Sequence, residues 1–200
     1  MTRFTLTAPS RFALEVKKSR FLAQAAPIDA IAQAMAWLHE ISDPDASHNC
    51  WAYRLGSAYR FSDNAEPGGT AGRPILAAID SQGLDQVMVV VTRWYGGINL
   101  GAGGLARAYG GSAAECLRIA GRRELVDCIA AELACEFALA NAVHSALAEF
   151  SAEKLGESFD EHGLRLRLRL PASMVDGLAQ RVRDLSRGAA YLQIIETPGE

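Results

Sequence analysis

The sequence has few cysteines and no pattern that would use them for metal binding or cross-linking. Its 200 residues include four cysteines, which form no CxxC pair and adjoin no histidine-rich cluster. A zinc site and a disulfide framework are therefore not expected. We predict no metal and no cofactor, and we interpret the cysteines as small buried hydrophobic residues.

Long apolar runs are also missing. No run reaches the roughly 18 residues of a membrane-spanning helix, and the first twenty residues, MTRFTLTAPSRFALEVKKSR, lack the apolar core of a secretory signal. We therefore expect a cytoplasmic protein without a membrane partner. Half of the residues are hydrophobic and 22% are charged, which suits one large or two small folded domains and excludes a disordered chain.

Neither charge dominates, and the formal net charge is −3. Residues 1–125 contain thirteen basic and eleven acidic side chains, whereas residues 126–200 contain seven and twelve. Neither part has the basic excess of a dedicated DNA-binding protein. Any contact with a polyanion must therefore come from a local patch.

The first 125 residues alternate between strand and helix patterns. Residue spacing predicts two strands joined by a turn at Lys17–Lys18, and later a strand over Gln86–Thr92. The intervening and following elements are a helix with an apolar stripe at Ile28, Ile31, Met35, Leu38 and Ile41, a strand over His48–Tyr59, a short helix ILAAID, and a helix over Leu105–Ala120 that stops at Gly121.

The remaining residues predict a βαββαβ order. The predicted elements are a strand with one face at Ala131, Leu133, Cys135, Phe137 and Leu139, a helix Val143–Lys154, strands Glu157–Asp160 and Leu164–Leu170, a helix capped by Ser173 that ends at Ser186, and a strand Ala190–Glu196. This order is typical of a ferredoxin-like domain. We therefore predict an α+β protein with domains at 1–125 and 126–200.

A glycine-rich loop follows the strand VMVVVTR and precedes a helix. The stretch RWYGGINLGAGGLARAYGG holds seven glycines, together with Arg93 and Arg107. Free N–H groups at a helix start, with glycines that let an anion approach, favour a phosphate site. Tight turning and helix–sheet packing explain the same glycines without a ligand, and that alternative stays open. The loop matches neither a Walker motif nor a dinucleotide fingerprint.

Two further segments contain candidate functional side chains. In SDNAEPGGTAGRP, Asp63 and Glu66 could hold magnesium or exchange protons, whereas Asp63 also suits a purely structural turn. Arg73 could pair with Glu66. His48 and Cys50 share a strand face, so a Cys–His pair is conceivable, although packing of Cys50 and a ligand contact by His48 are favoured.

These blocks together resemble the YigZ/IMPACT family. The resemblance rests on HNCWAYR, SDNAEPGGTAGRPIL and VVVTRWYGGINLGAGGLARAYGGS, and it covers about residues 15–120. It implies an N-terminal domain with the fold of the second domain of ribosomal protein S-five, followed by a ferredoxin-like domain. We expect a complete bacterial two-domain member, for which nucleic-acid binding is the usual proposal and no enzymatic activity is firmly established. The residues that match the family motifs are His48, Asn49, Asp63, Glu66, Gly69, Thr70, Gly72, Arg73, Arg93, Gly96, Gly97, Gly101, Gly103, Gly104 and Arg107.

The favoured hypothesis is a binding protein for RNA or the translation apparatus that takes part in translation regulation. The loop amides, Arg93 and Arg107 would contact phosphate, and Trp94 or Tyr95 could stack on a base. The alternative is a nucleotide- or phosphate-handling enzyme with a fold like that of GHMP kinases, by analogy of fold alone. The sequence does not identify the ligand or the oligomeric state.

The third possibility is a protein-binding module whose open sheet face carries Arg165, Arg167 and Arg169. Glu132 and Glu136 are predicted on the neighbouring strand of that face. We therefore expect cross-strand Arg–Glu pairs and a solvated surface rather than a nucleic-acid site.

Overall fold

The computed structural model describes residues 3–195, and the chain forms two compact units, Met1–Leu125 and Val126–Glu200. The first unit is built on a five-stranded antiparallel sheet in the order β2-β3-β6-β4-β5. Its elements are β1 (Arg3–Leu6), β2 (Ser10–Val16), β3 (Ser19–Pro27), α1 (Ile31–Ile41), β4 (His48–Leu55), β5 (Ala58–Ser62), α2 (Gly72–Ser81), β6 (Val87–Trp94), α3 (Ala102–Ile119) and β7 (Arg122–Leu125).

Strand β6 is buried on both faces because helices cover the sheet on both sides. Val87, Val89 and Val91 face the core formed with α2 and α3, while Met88 and Val90 face α1. The β-branched run suits a central strand, and the alternation of side chains supplies both layers. Outside this sheet, β1 pairs with β7 in a short antiparallel ribbon.

The second unit is a four-stranded antiparallel sheet with two helices. Its elements are β8 (Cys128–Cys135), α4 (Ala140–Glu149), β9 (Glu153–Asp160), β10 (Gly163–Pro171), α5 (Val175–Ser186) and β11 (Tyr191–Ile195). The strand order β11-β8-β10-β9 confirms the βαββαβ prediction and the α+β class. The leucines of β10 enter the core and its arginines are exposed.

Several predicted details are wrong. The segment from His48 to Tyr59 is a hairpin, because Gly56 adopts a left-handed conformation between β4 and β5. Ile31 is exposed, so it leaves the predicted apolar stripe of α1. Phe137 lies in a 3₁₀ turn after β8 and is also exposed.

The helix limits of the second unit also differ from the prediction. Helix α4 ends at Glu149, and Lys154 belongs to β9. Ser173 lies in a 3₁₀ turn before α5 and makes no capping hydrogen bond. Glu196, the predicted end of the last strand, lies outside the described residues. Within residues 3–195, no helix is both long and apolar enough to cross a membrane.

The arginine row on β10 lies in a mixed-charge surface. Arg167 is directly opposite Glu132 on β8, as expected, although no ion pair joins these two side chains within the described region. Arg165 instead pairs with Asp160, with 2.5 Å between Nε and Oδ2. Glu136 follows the end of β8, so its predicted pairing with the row is wrong.

Candidate functional site

The glycine-rich loop connects β6 to α3 and depends on glycine at specific positions. Gly97 and Gly101 have φ values of 83° and 74°, in the left-handed region that other residues rarely adopt. Gly96 lies against the turn between β2 and β3, where an added Cβ would overlap the backbone of Lys18. Packing therefore explains Gly96, while Gly97 and Gly101 set the path of an exposed loop.

Most amides of this loop have no internal acceptor. At its edges, the Tyr95 amide donates to Ser47 Oγ and the Gly96 amide donates to Ser19 Oγ, at 3.0 and 3.2 Å. Leu105 N–H donates to the Gly101 carbonyl. Within residues 3–195, the amides of residues 97–104 donate to no acceptor, and this segment is exposed or half-buried. Such amides, with the dipole of α3 behind them, can receive an anion.

Arg93, by contrast, is committed to a buried ion pair beneath the loop. Its side chain donates to Glu66 Oε1 at 2.5 Å and to Ser19 Oγ at 3.3 Å. Only 5% of Arg93 is exposed, and its Nε is the one fully buried side-chain polar atom without a partner among the described residues. The hypothesis that Arg93 offers its charge freely to phosphate is therefore weakened, because Glu66 already neutralises it.

Glu66 is the centre of this network. Its Oε1 also accepts from the Tyr109 hydroxyl at 2.7 Å, and His48 Nε2 lies 3.7 Å from the same oxygen. The partner of Glu66 is thus Arg93 and not Arg73, which is exposed in the first turn of α2.

His48 is held in one orientation by a backbone carbonyl. Its Nδ1 lies 2.8 Å from the carbonyl oxygen of Asn64. A carbonyl can only accept, so Nδ1 bears a proton, and Nε2 is the ring nitrogen that lies near Glu66. The loop of Asn64 therefore fixes the tautomer of His48.

Asp63 has a structural role. Its carboxylate accepts from the amides of Gly69, Ala71 and Gly72 at 2.8–2.9 Å. Partial burial opposes ionisation of Asp63, but these three donors outweigh it and hold its pKa below the usual range. The carboxylate is already engaged by three backbone donors, so the idea that Asp63 holds magnesium or acts as a base is not supported.

Thr70 and Asn49 also hold the backbone together rather than facing the cavity. The Thr70 hydroxyl donates to the Pro67 carbonyl, and the Asn49 side chain bonds the backbone of Asp43 and the Thr92 hydroxyl. Among the described residues, no group of three or more His, Cys, Asp or Glu side chains is placed to hold a metal ion.

Cys50 lacks the environment of a nucleophile. It is fully buried, its thiol donates to the Asp63 carbonyl, and burial raises its pKa to about 12. A thiol with such a pKa forms almost no thiolate near neutrality. The Cys–His hypothesis is therefore wrong in its nucleophile, while His48 does lie at the cavity.

Arg107 is an exposed cation beside the free amides. Its guanidinium lies over the first turn of α3, with Nη1 3.5 Å from where a Cβ on Gly103 would stand. Together with Lys17, Leu100 and Gly104 it lines a shallow cavity of about 220 Å³. Two exposed basic side chains thus flank the start of α3.

The two aromatic residues have different surroundings. Trp94 donates from Nε1 to Asp43 at 3.1 Å, and Arg20 covers its ring at 4.5 Å. Tyr95 is 48% exposed, and its hydroxyl donates to Asn99 at 3.1 Å. Of the two predicted stacking residues, Tyr95 has the accessible ring.

The loop, the ion pair and Tyr95 enclose a cavity of about 560 Å³, within the range of small-ligand sites. Its lining combines His48, Glu66 and Arg93 with Tyr95, Asn99 and the start of α3. A cavity of similar size, about 540 Å³, lies in the second unit beside Glu136, Asp160 and Glu161. Its acidic lining does not suit an anion, so the first unit contains the better candidate.

Comparison with known proteins matches both units. Residues 17–117 match the Impact N-terminal domain, and residues 133–189 match a domain of unknown function, DUF1949. An IMPACT family member of Thermus thermophilus is 44% identical over 89% of this chain and 99% of its own length.

The chain belongs to the IMPACT family. The relative named YigZ in Escherichia coli is 35% identical over 94% of this chain and 96% of its own length. A solved structure titled as a hypothetical protein is 33% identical, with a TM-score of 0.73 over 98% of both chains. Protein IMPACT of Rattus norvegicus is similar over 42% of this chain and 29% of its own length, at 38% identity.

The candidate site also contains residues that sequence reasoning missed. Tyr109, Ser19 and Lys17 complete the network and the basic flank. Tyr109 lies seven residues after the start of the alanine-rich helix α3. Its local sequence does not distinguish a tyrosine that hydrogen-bonds Glu66 from one that only packs in the core. The sequence placed Lys17 in an exposed turn. It did not show that this turn lies beside the glycine-rich loop, because that proximity arises only in the folded sheet.

Proposed function

We propose that this IMPACT-family protein binds RNA of the translation apparatus through phosphate contacts at the glycine-rich loop. The observation that carries the proposal is the row of unpaired amides over residues 97–104, at the start of α3. Amide donors and a helix dipole recognise phosphate oxygen without reading sequence.

Lys17 and Arg107 supply the charge that the buried pair cannot. Both are exposed and line the shallow cavity beside the start of α3. Each cation that neutralises a phosphate of a single strand adds about 0.7 to the magnitude of the slope of log K against log salt. Tyr95 adds an accessible ring for a base, which favours a single-stranded segment.

The test is the affinity for a fluorescent single-stranded RNA, measured by anisotropy across a salt series. Arg107→Ala should weaken binding at low salt and reduce the slope of log K against log salt by about 0.7. Arg118→Ala is the matched control, because Arg118 is exposed at the far end of α3 and already pairs with Glu115. Salt-insensitive binding, or equal effects of the two variants, would contradict the proposal.

Arg93→Ala is a poor test of the same idea. Removing Arg93 leaves Glu66 buried without its cation, which destabilises the fold by about 3–5 kcal/mol in comparable pairs. A loss of binding in that variant would report damage to the cavity rather than a lost phosphate contact.

A further inference from the structure

Glu66 has one carboxylate oxygen that the fold does not use. Oε1 accepts from both Arg93 and Tyr109. Within residues 3–195, Oε2 accepts no hydrogen bond, although only 3% of the side chain is exposed. Buried carboxylates normally have their acceptor sites filled, so an unused oxygen on Glu66 requires an explanation.

Glu66 borders the cavity, and its Oε2 retains some exposure to solvent. Among the described side chains, Arg93 Nε is the one completely enclosed polar atom without a partner, so Glu66 Oε2 is not completely enclosed. Glu66 lines the 560 Å³ cavity together with His48, Tyr95 and the first residues of α3. The cavity is thus bordered by the Glu66 carboxylate and by residues 99–102 of the loop, whose amides have no internal acceptor within the described part of the chain.

The charges around Glu66 select the kind of group that can bind Oε2. A phosphate would be repelled by the carboxylate, so it belongs at the loop amides. Arg93 already balances the charge of Glu66, so a second cation is not required. A neutral donor such as a hydroxyl fits best, and carboxylates commonly accept from ribose hydroxyls.

The remaining lining suits the other parts of a nucleotide. Tyr95 presents an exposed ring for a base, and Pro67, Leu100 and Leu105 provide apolar surface. His48 Nε2, oriented by its Nδ1 contact with the Asn64 carbonyl, lies beside Glu66 on the same wall. Ribose and base each have a complementary part of this cavity, and the loop beside it takes the phosphate.

We propose that Glu66 accepts a hydrogen bond from a ribose 2′-hydroxyl in this cavity, so that the site distinguishes RNA from DNA. The inference rests on the proposed function, since the phosphate of the same nucleotide occupies the loop. A site built to accept a hydroxyl proton binds analogues without that proton poorly, because its buried acceptor stays unpaired.

The test compares three single-stranded probes of one sequence: RNA, 2′-fluoro RNA and DNA. The 2′-fluoro probe keeps the ribose pucker of RNA but has no proton to donate. The wild-type protein should bind RNA about tenfold more tightly than the 2′-fluoro probe, the effect of one lost hydrogen bond to a charged acceptor. DNA should bind as weakly as the 2′-fluoro probe or more so.

Glu66→Gln replaces the free acceptor at this position with a donor. Its oxygen can still accept from Arg93 and Tyr109, which turns the amide NH₂ toward the cavity. The preference for RNA over the 2′-fluoro probe should then fall to about one. Glu40→Gln, on the exposed face of α1, should keep the tenfold preference.

The outcomes separate this inference from the proposed function. Salt-sensitive binding of all three probes with equal affinity by the wild-type protein overturns the role of Glu66 and leaves the phosphate site intact. Binding of none of the probes overturns both. The comparison of probes on the wild-type protein decides the question even if Glu66→Gln fails to fold.

Discussion

Individual residues of the motif blocks divide into those that build the loop and those that face the cavity. Asp63 and Thr70 hold backbone amides and carbonyls, whereas Glu66 and His48 line the cavity. The sequence places Asp63 and Glu66 three residues apart with the same side-chain chemistry. Only their hydrogen-bond partners separate a carboxylate that holds the backbone from one that lines the cavity.

Asp63→Ala should lower the free energy of unfolding by about 2 kcal/mol, because three amides at the start of α2 lose a charged acceptor. The folded-state pKa of Asp63 lies below its unfolded value, so this stabilisation is present above the unfolded pKa and is lost as pH falls through the folded one. Urea unfolding at pH 7 and in acid should show the difference from wild type shrinking with acidity.

The control for this measurement is Asp29→Ala, which removes an exposed carboxylate before α1. Its effect should be small at both pH values. An equal loss for the two variants, or a difference that grows in acid, would show that the amide contacts of Asp63 do not stabilise the fold.

At the scale of elements, the turn between β2 and β3 has an unusual composition. Lys17 and Lys18 both have positive φ, 47° and 65°, where Asn-Gly is the favoured pair. The turn packs against Gly96 at the base of the glycine-rich loop. Lysine at these positions costs stability but places a cation beside the start of α3.

Replacing Lys17–Lys18 with Asn-Gly should therefore raise the free energy of unfolding by about 1 kcal/mol, since the new residues adopt this turn without strain. The same variant should bind RNA with a smaller salt slope, because Lys17 is lost. Thermal unfolding and anisotropy measure the two effects.

Lys17→Asn with Lys18 retained separates the effects, since it removes the charge near Arg107 while leaving one strained lysine. The prediction is that Lys17 and Lys18 strain the turn while Lys17 contributes to RNA binding. It is contradicted if the Asn-Gly variant is less stable than wild type or keeps the full salt slope.

The elements also show what the sequence could predict. The strand VMVVVTR, the helix that follows the loop and the alternation LRLRLRL were predicted because their periodicity reports local burial. The hairpin at Gly56 was missed, since β4 and β5 continue one alternating pattern across it. The Glu66–Arg93 pair was missed because its partners are 27 residues apart and join only when β6 enters the sheet.

At the scale of the whole molecule, charge is divided unevenly between the two units. Residues 126–200 carry a clear acidic excess, and the arginines of β10 lie among Glu132, Glu153 and Asp160. An acidic surround lowers the local attraction for a polyanion. RNA affinity should therefore depend on the first unit.

Accordingly, a triple Arg165→Ala, Arg167→Ala, Arg169→Ala variant should bind the RNA probe within about twofold of wild type, because the three arginines are exposed among acidic residues and Arg165 already pairs with Asp160. Arg107→Ala, measured in parallel, should weaken binding. A larger loss from the triple variant than from Arg107→Ala would move the RNA site to the β10 surface.

The central position of β6 bears on how the loop can work. This strand is bonded on one side to β3 and on the other to β4, and helices pack on both of its faces. The chain that leaves β6 at Trp94 thus starts from a strand that is paired on both edges. The base of the loop is therefore already ordered in the free protein, so binding a ligand there costs little further conformational entropy.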